Sequence, residues 1–160
     1  MPVTQSDIGE IQERLSVLVG KRVWEAYRGD ESEFNDKAIN IILIEADLYG
    51  QEVSPEVDWY LWGRRCEWRI ETNHEVLVAS QDKQDKVELV CNRLEGKMLI
   101  AIDVIPPAFE AILSFEDELI LRLFPVTSKE TYWVLFTADK HILDVGPGTE
   151  WSYRKDTTED

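Results

Sequence analysis

The chain is short of the residues that most often carry chemistry. It has two histidines and two cysteines in 160 residues. Cys66 and Cys91 match no metal-ligand spacing and lie in apolar segments, so they read as reduced core thiols, a usage that suits the cytoplasm. His74 precedes a strand and His141 lies in an expected turn, neither beside a Ser or Cys nucleophile in a recognised context. That argues against a His-dependent active site. No apolar run approaches the ~20 residues that cross a bilayer, and the longest, Ile39 to Ile44, is strand-sized. The first ten residues lack the basic and apolar regions of a signal peptide. Gly146-Pro147-Gly148 is no phosphate cradle, because proline removes a backbone donor and no Lys or Ser follows in the required spacing. No Asp-x-Asp-x-Asp-Gly calcium loop exists. The expectation is a protein without metal, cofactor or catalytic residues.

Basic residues are also scarce: 17 Lys and Arg stand against 32 Asp and Glu, a net charge of -15. Such a field repels nucleic acid and anionic membrane, and attracts basic surfaces over roughly 8 Å in physiological salt. Charge of this size also keeps a protein soluble, so its distribution matters more than its total. From Asp30 to Asp58 there are nine acids and one basic residue, Lys37. Paired carboxylates are so plentiful that a glycosidase pair could hide among them, but nothing marks which two.

Apolar residues make up 44% of the chain and aromatics 10%, enough for a real core. One helix is expected at the start. Thr4 or Ser6 caps it, Asp7 completes a capping box with Thr4, and Ile8, Ile11, Leu15, Leu18 and Val19 share a face before Gly20 stops it. Short strands are then expected at Val23 to Tyr27, Ala38 to Leu48, Trp59 to Trp62, Glu67 to Ile70, Glu75 to Ala79, Met98 to Ile105, Phe109 to Phe115 and Leu119 to Phe124. A last hairpin follows, Thr131 to Thr137 with Ile142 to Val145. Lys86 to Leu94 fits a helix face through Val87, Val90, Cys91 and Leu94, and an alternating strand through Val87, Leu89 and Cys91. The fold class is α+β: a mainly antiparallel sheet or barrel-like sandwich with a short N-terminal helix. Ile41, Leu43, Leu113, Phe115, Leu121 and Leu123 are expected in the core. One compact domain over 1–153 is expected, with 154–160 as a flexible acidic tail.

Leu18-Val19-Gly20-Lys21 recurs as Leu94-Glu95-Gly96-Lys97, 76 residues later. The same offset puts Ile11 on Val87, Leu15 on Cys91 and Val23 on Leu99. Trp59-Tyr60-Leu61-Trp62 resembles Tyr132-Trp133-Val134-Leu135. An internal duplication, with pseudo-repeats 6–79 and 85–148, would make Lys86 to Leu94 a helix.

Six tryptophans are the other conspicuous feature. Trp59 and Trp62, three apart in a strand, should point to opposite faces. An exposed one beside acids would make a binding anchor, as would Trp24 and Tyr27.

The stretch Ile112 to Pro125, with Trp133-Val134-Leu135 and Val145-Gly146-Pro147-Gly148, resembles a pattern in small uncharacterised bacterial domains. Those have a Phe-x-Asp-Gly turn, a strand ending in Phe-Pro, a Trp strand and a closing Gly-Pro-Gly. Glu118 stands where the turn glycine would be. The resemblance covers about a quarter of the chain. Some related proteins belong to toxin–immunity gene neighbourhoods, which implies an architecture and an immunity function without a catalytic residue. The expected function is therefore a non-catalytic acidic binding protein, an immunity-type inhibitor of a basic partner such as a toxin nuclease. Its expected contacts are Asp30, Glu31, Glu33, Asp36, Glu52, Glu56 and Asp58, with Trp59 or Trp62 as anchor. The alternative is a small-molecule-binding or enzymatic domain with a pocket between two β-rich halves. The oligomeric state is not encoded in any of these features.

Overall fold

The computed structural model describes residues 2–29, 37–48 and 59–156. Helix α1 spans Gln5–Leu15. Thr4 caps it as the sequence predicts: its hydroxyl accepts from the Asp7 N–H at 3.1 Å, and Asp7 accepts from the Thr4 N–H at 3.0 Å. A 3-10 turn over Ser16–Leu18 tightens the end. It buries Leu18 but leaves Val19 exposed in extended backbone, so Val19 departs from the expected apolar face. Gly20, at φ 93°, makes the left-handed stop.

Strands β1 (Arg22–Arg28), β2 (Ile39–Ile44) and β3 (Trp59–Gly63) follow in one sheet, then β4 (Cys66–Glu71) and β5 (Val76–Ala79) in the other. The long strand expected over Ala38 to Leu48 ends at Ile44, with a 3-10 turn over Ala46–Leu48. Helix α2 occupies Gln84–Leu94, burying Val87, Val90, Cys91 and Leu94 and leaving Leu89 exposed. That resolves the ambiguous segment as a helix.

Strands β6 (Leu99–Ile105), β7 (Glu110–Phe115), β8 (Ile120–Pro125), β9 (Trp133–Phe136), β10 (His141–Val145) and β11 (Trp151–Lys155) complete the fold. His141 begins a strand instead of sitting in the turn, and Gly146-Pro147-Gly148 leads into one more strand. Arg154 and Lys155, placed by sequence in a loose tail, pair with Ile142 and His141.

Every strand pair is antiparallel, and the architecture is an α+β sandwich of a six-stranded and a five-stranded sheet. The strand orders are β1-β2-β3-β9-β10-β11 and β5-β4-β8-β7-β6. Neither sheet comes from one half of the chain. β1-β2-β3 receives β9 beside β3, and β6-β7-β8 receives β4 beside β8. Helix α1 packs on β6, and α2 on β1. The core lies between the sheets and includes all six expected residues, none more than 2% exposed. Each such side chain contributes ~1.5–3 kcal/mol by leaving water.

The two Leu-x-Gly-Lys segments meet each other. The Gly20 N–H donates to Leu99 O at 2.8 Å and the Gly96 N–H to Val23 O at 2.7 Å. The Leu99 N–H donates to Lys21 O at 2.8 Å and the Val23 N–H to Lys97 O at 3.0 Å. Each bond maps onto its partner under the 76-residue offset. Arg22 bridges Met98, its own counterpart, and β-bulges follow at Val23/Glu25 and Leu99/Ala101. The lysines match too: Lys21 pairs with Glu45 after β2 at 3.2 Å, and Lys97 with Asp117 after β7 at 2.5 Å.

The aromatic correspondence read from sequence is displaced, however. By position in the sheets, Trp133 of β9 matches Trp68 of β4, whereas β3 with Trp59 and Trp62 matches β8. Both fully buried indoles donate to the carbonyl of a residue that closes a hairpin connection: Trp68 to Lys37 O at 2.7 Å and Trp133 to Phe109 O at 2.9 Å.

Candidate functional site

Antiparallel pairing decides where the acidic segments leave the sheet. Arg28 pairs with Ile39 at one end of β2, and Arg22 with Ile44 at the other. Asp30, Glu31, Glu33 and Asp36 follow the first of these ends in the chain. Glu52, Glu56 and Asp58 follow the second in the chain, between β2 and β3. All seven lie outside the described residues. Their described flanks, Gly29 and Lys37 against Leu48 and Trp59, belong to opposite ends of a six-residue strand, a separation of roughly 17–20 Å.

The two expected anchors are likewise apart. Trp59 packs against the core, with the Lys21 ammonium 4.2 Å from its ring centre. Trp62, paired with Asn40, faces the outer side of the six-stranded sheet beneath the Arg64 guanidinium.

That outer side carries two rows of side chains across the strands, set by register. Tyr27, Asn40, Trp62, Val134 and Asp144 form one row. Glu25, Ile42, Tyr60, Phe136 and Ile142 form the other. Tyr60 stacks on Phe136 with centroids 5.5 Å apart, and its hydroxyl donates to Asn40 Oδ1. Asn40 in turn donates to Ala38 O at 3.2 Å and to Tyr27 O at 3.4 Å. Burial, and then Tyr27, push the Tyr60 phenol well above its ordinary value, so it stays a neutral donor. Neither row holds a Ser, Cys or His nucleophile. The thiols offer none either: burial pushes Cys66 and Cys91 up to about 12, leaving both protonated. Among the described residues no group of three or more His, Cys, Asp or Glu could hold a metal ion.

A groove opens at the edge of this sheet, between β1 and α2. It encloses about 520 Å³, and its walls carry the carboxylates of Glu25, Asp85, Glu88 and Glu95. Among the described residues, Arg28 is the one cationic residue lining it. Tyr27, 41% exposed, forms part of the rim. Lining residues Tyr27, Arg28, Gln84 and Glu88 also border a second hollow of about 860 Å³ at the start of α2, where Lys37 and Lys83 join Arg28. Arg28 itself is only 7% exposed. It donates to Ser80 O at 2.9 Å, Asp82 O at 2.6 Å and Gln84 Oε1 at 2.9 Å.

Sequence reasoning picked out Tyr27 here and missed Arg28, Glu25, Glu88 and Glu95. The one available signal was the 76-residue offset, which sets the charged Arg28 against the apolar Val104 and Glu88 against Gln12. The chain matches no known protein family, and no curated protein or solved structure is similar to it.

Proposed function

We propose that this chain is a non-catalytic binding protein that captures a basic partner in the cytoplasm, in the manner of an immunity protein covering the cleft of a toxin nuclease. The observation that carries the reading is the net charge of -15. It is supported by the four carboxylates around the β1–α2 groove. A field of this sign accelerates encounter with a basic surface and competes with nucleic acid for it. Contacts are assigned to Asp30, Glu31, Glu33, Asp36, Glu52, Glu56 and Asp58. Trp62 and Tyr27 on the outer sheet face are better placed as anchors than Trp59, which packs inward.

The test is to mix the purified protein with the product of the neighbouring gene and measure rates at two salt concentrations. The association rate should fall steeply with salt while dissociation changes little. Reversing Asp30, Glu31 and Glu33 to Lys should lower the on-rate without unfolding the protein. Salt-independent binding, or binding untouched by the reversals, would remove the charge argument.

A second reading, a small-molecule domain with a pocket between the halves, is favoured by one observation. The groove is made by a strand of the first half and a helix of the second. That reading requires a low-molecular-weight cation to raise the melting temperature while no protein is captured.

A further inference from the structure

Among the described residues the sheet edges are β1 and β11 in one sheet and β5 and β6 in the other. An edge exposes main-chain donors and acceptors that invite another chain, and folded proteins blunt it with a bulge, a short strand or a covering element. β1 bulges at Val23/Glu25, bonds through Val23 to Gly96 and Lys97, and buries Ala26 and Arg28 beside α2. β6 bulges at Leu99/Ala101 and is bridged by Gln12 of α1. β5 has four residues and a register shift against β4.

β11 is the exception. Its five residues keep one unbroken register with β10. The Gly146 N–H donates to Glu150 O at 2.7 Å and the Asp156 N–H to Lys140 O at 2.7 Å, which sets the phase of the ladder. Ser152 and Arg154 therefore bond to β10, while the N–H and C=O groups of Trp151, Tyr153 and Lys155 point to the open edge. Among the described residues none of those outward groups is hydrogen-bonded. Ser152, Arg154 and Lys155 are exposed.

We propose that β11 pairs antiparallel with β11 of a second copy, about a two-fold axis at Tyr153, so that the two six-stranded sheets become one. The phase fits, because Tyr153 at the centre is itself an outward-bonding residue. The register sets Trp151 opposite the partner's Lys155 and Ser152 opposite the partner's Arg154, so no like charges face each other. Trp151 Nε1 donates to Asp7 Oδ1 at 3.2 Å, so the incoming ammonium meets an indole ring and a carboxylate together. Five residues a side are far fewer than the roughly 20–30 of a standard interface, so the dimer is weak and concentration decides its population.

The experiment is sedimentation equilibrium of the intact chain from about 10 μM to about 1 mM, with amide NMR spectra at both ends of that range. The mean mass should rise with concentration toward that of a dimer. The amide signals of Trp151, Tyr153 and Lys155 should shift with it, while those of Ser152 and Arg154, already bonded to β10, shift less. Added salt should strengthen the pairing by screening the repulsion between two chains of net charge -15. Its effect on capture of a basic partner is the reverse, so either reading can fail without the other. Lys155→Pro removes an outward donor where an edge strand tolerates proline, and should weaken the dimer about fivefold or more, since the loss counts twice in a two-fold pair. Lys155→Glu keeps every donor but sets a carboxylate near Asp7, and should weaken it about as much. If either variant unfolds, the concentration-dependent amide pattern of the unaltered chain decides. A chain that stays monomeric to about 1 mM, or a dimer indifferent to both substitutions, would overturn the pairing.

Discussion

Gln12 in α1 and Glu88 in α2 occupy equivalent turns of equivalent helices, yet they treat the strand beside them differently. Gln12 bridges the edge of β6: its amide donates to Ile102 O and its carbonyl accepts from the Val104 N–H at 2.9 Å. One primary amide supplies both a donor and an acceptor, as a further strand would, and it closes that edge. Glu88 has a carboxylate in place of the amide and so lacks the N–H donor that Gln12 brings. Among the described residues it makes neither bond to Ala26 or Arg28, the counterparts of Ile102 and Val104. The weak contact there is the Ala26 N–H to Glu95 Oε2 at 3.5 Å. One local scaffold is thus used twice, sealed on one side and left as an acidic groove on the other. Buried polar backbone needs a complementary partner; an exposed edge can do with water.

The largest effect expected on this comparison comes from the helix ends. Leu18 and Leu94 are equivalent and both fully buried. Leu18→Ala and Leu94→Ala should each cost ~2–5 kcal/mol in urea unfolding, from lost transfer energy and the cavity left behind. Costs differing by more than ~2 kcal/mol would show that the halves share a shape without sharing the load.

Gln12→Glu comes next. It sets a carboxylate against Ile102 O and removes the donor, which should cost ~1–3 kcal/mol at neutral pH. A neutral outcome would mean that water already serves the β6 edge.

Gly20 and Gly96 share φ values of 93° and 86°. A Cβ on Gly20 would meet nothing within 4 Å, so the cost of Gly20→Ala is backbone strain alone. Both alanine variants should lose ~1–2 kcal/mol, measured by thermal melts. A much larger loss at one of them would reveal a packing role that the other lacks.

A smaller effect belongs to acid. The Glu71 carboxyl, opposed by burial, is held below its usual value by Arg69 and by Arg122 at 3.0 Å. Stability from a depressed carboxyl is present above its unfolded pKa, ~4.3, and is lost as pH falls through the folded value. Glu71→Gln should therefore flatten the acid limb of a stability–pH curve, and an unchanged limb would place the acid sensitivity elsewhere.

The smallest effect is Glu88→Gln. It restores the bridging amide on a surface that tolerates change, so stability should move within ~0.5 kcal/mol. If it also weakens capture of a basic partner, the groove is part of that interface. Unaltered association would exclude it.

The repeated Leu-x-Gly-Lys stop, with matching apolar positions before it, was readable in the sequence, but the choice between helix and strand for Lys86 to Leu94 stayed open until the structure showed α2. The aromatic match was misread, because Trp59-Tyr60-Leu61-Trp62 and Tyr132-Trp133-Val134-Leu135 look alike as strings while only Trp68 and Trp133 play the same part. Composition cannot show which indole will find a carbonyl. The acidic run from Asp30 to Asp58 looked like one surface because it is continuous in the chain. A strand of six residues between its two parts puts their described flanks at opposite ends of the sheet.

By itself the sequence determined what neighbours along the chain decide. The capping box at Thr4, the turn after Leu18, the alternation of Leu113 with Phe115 and of Leu121 with Leu123, and the excess of negative charge are all local or additive. Only the tertiary structure decided that β3 takes β9 and β8 takes β4, that the two Leu-x-Gly-Lys segments bond to each other, and that Arg28 is buried beside the start of α2. Those outcomes rest on contacts between residues far apart in sequence, selected by which faces can be buried together.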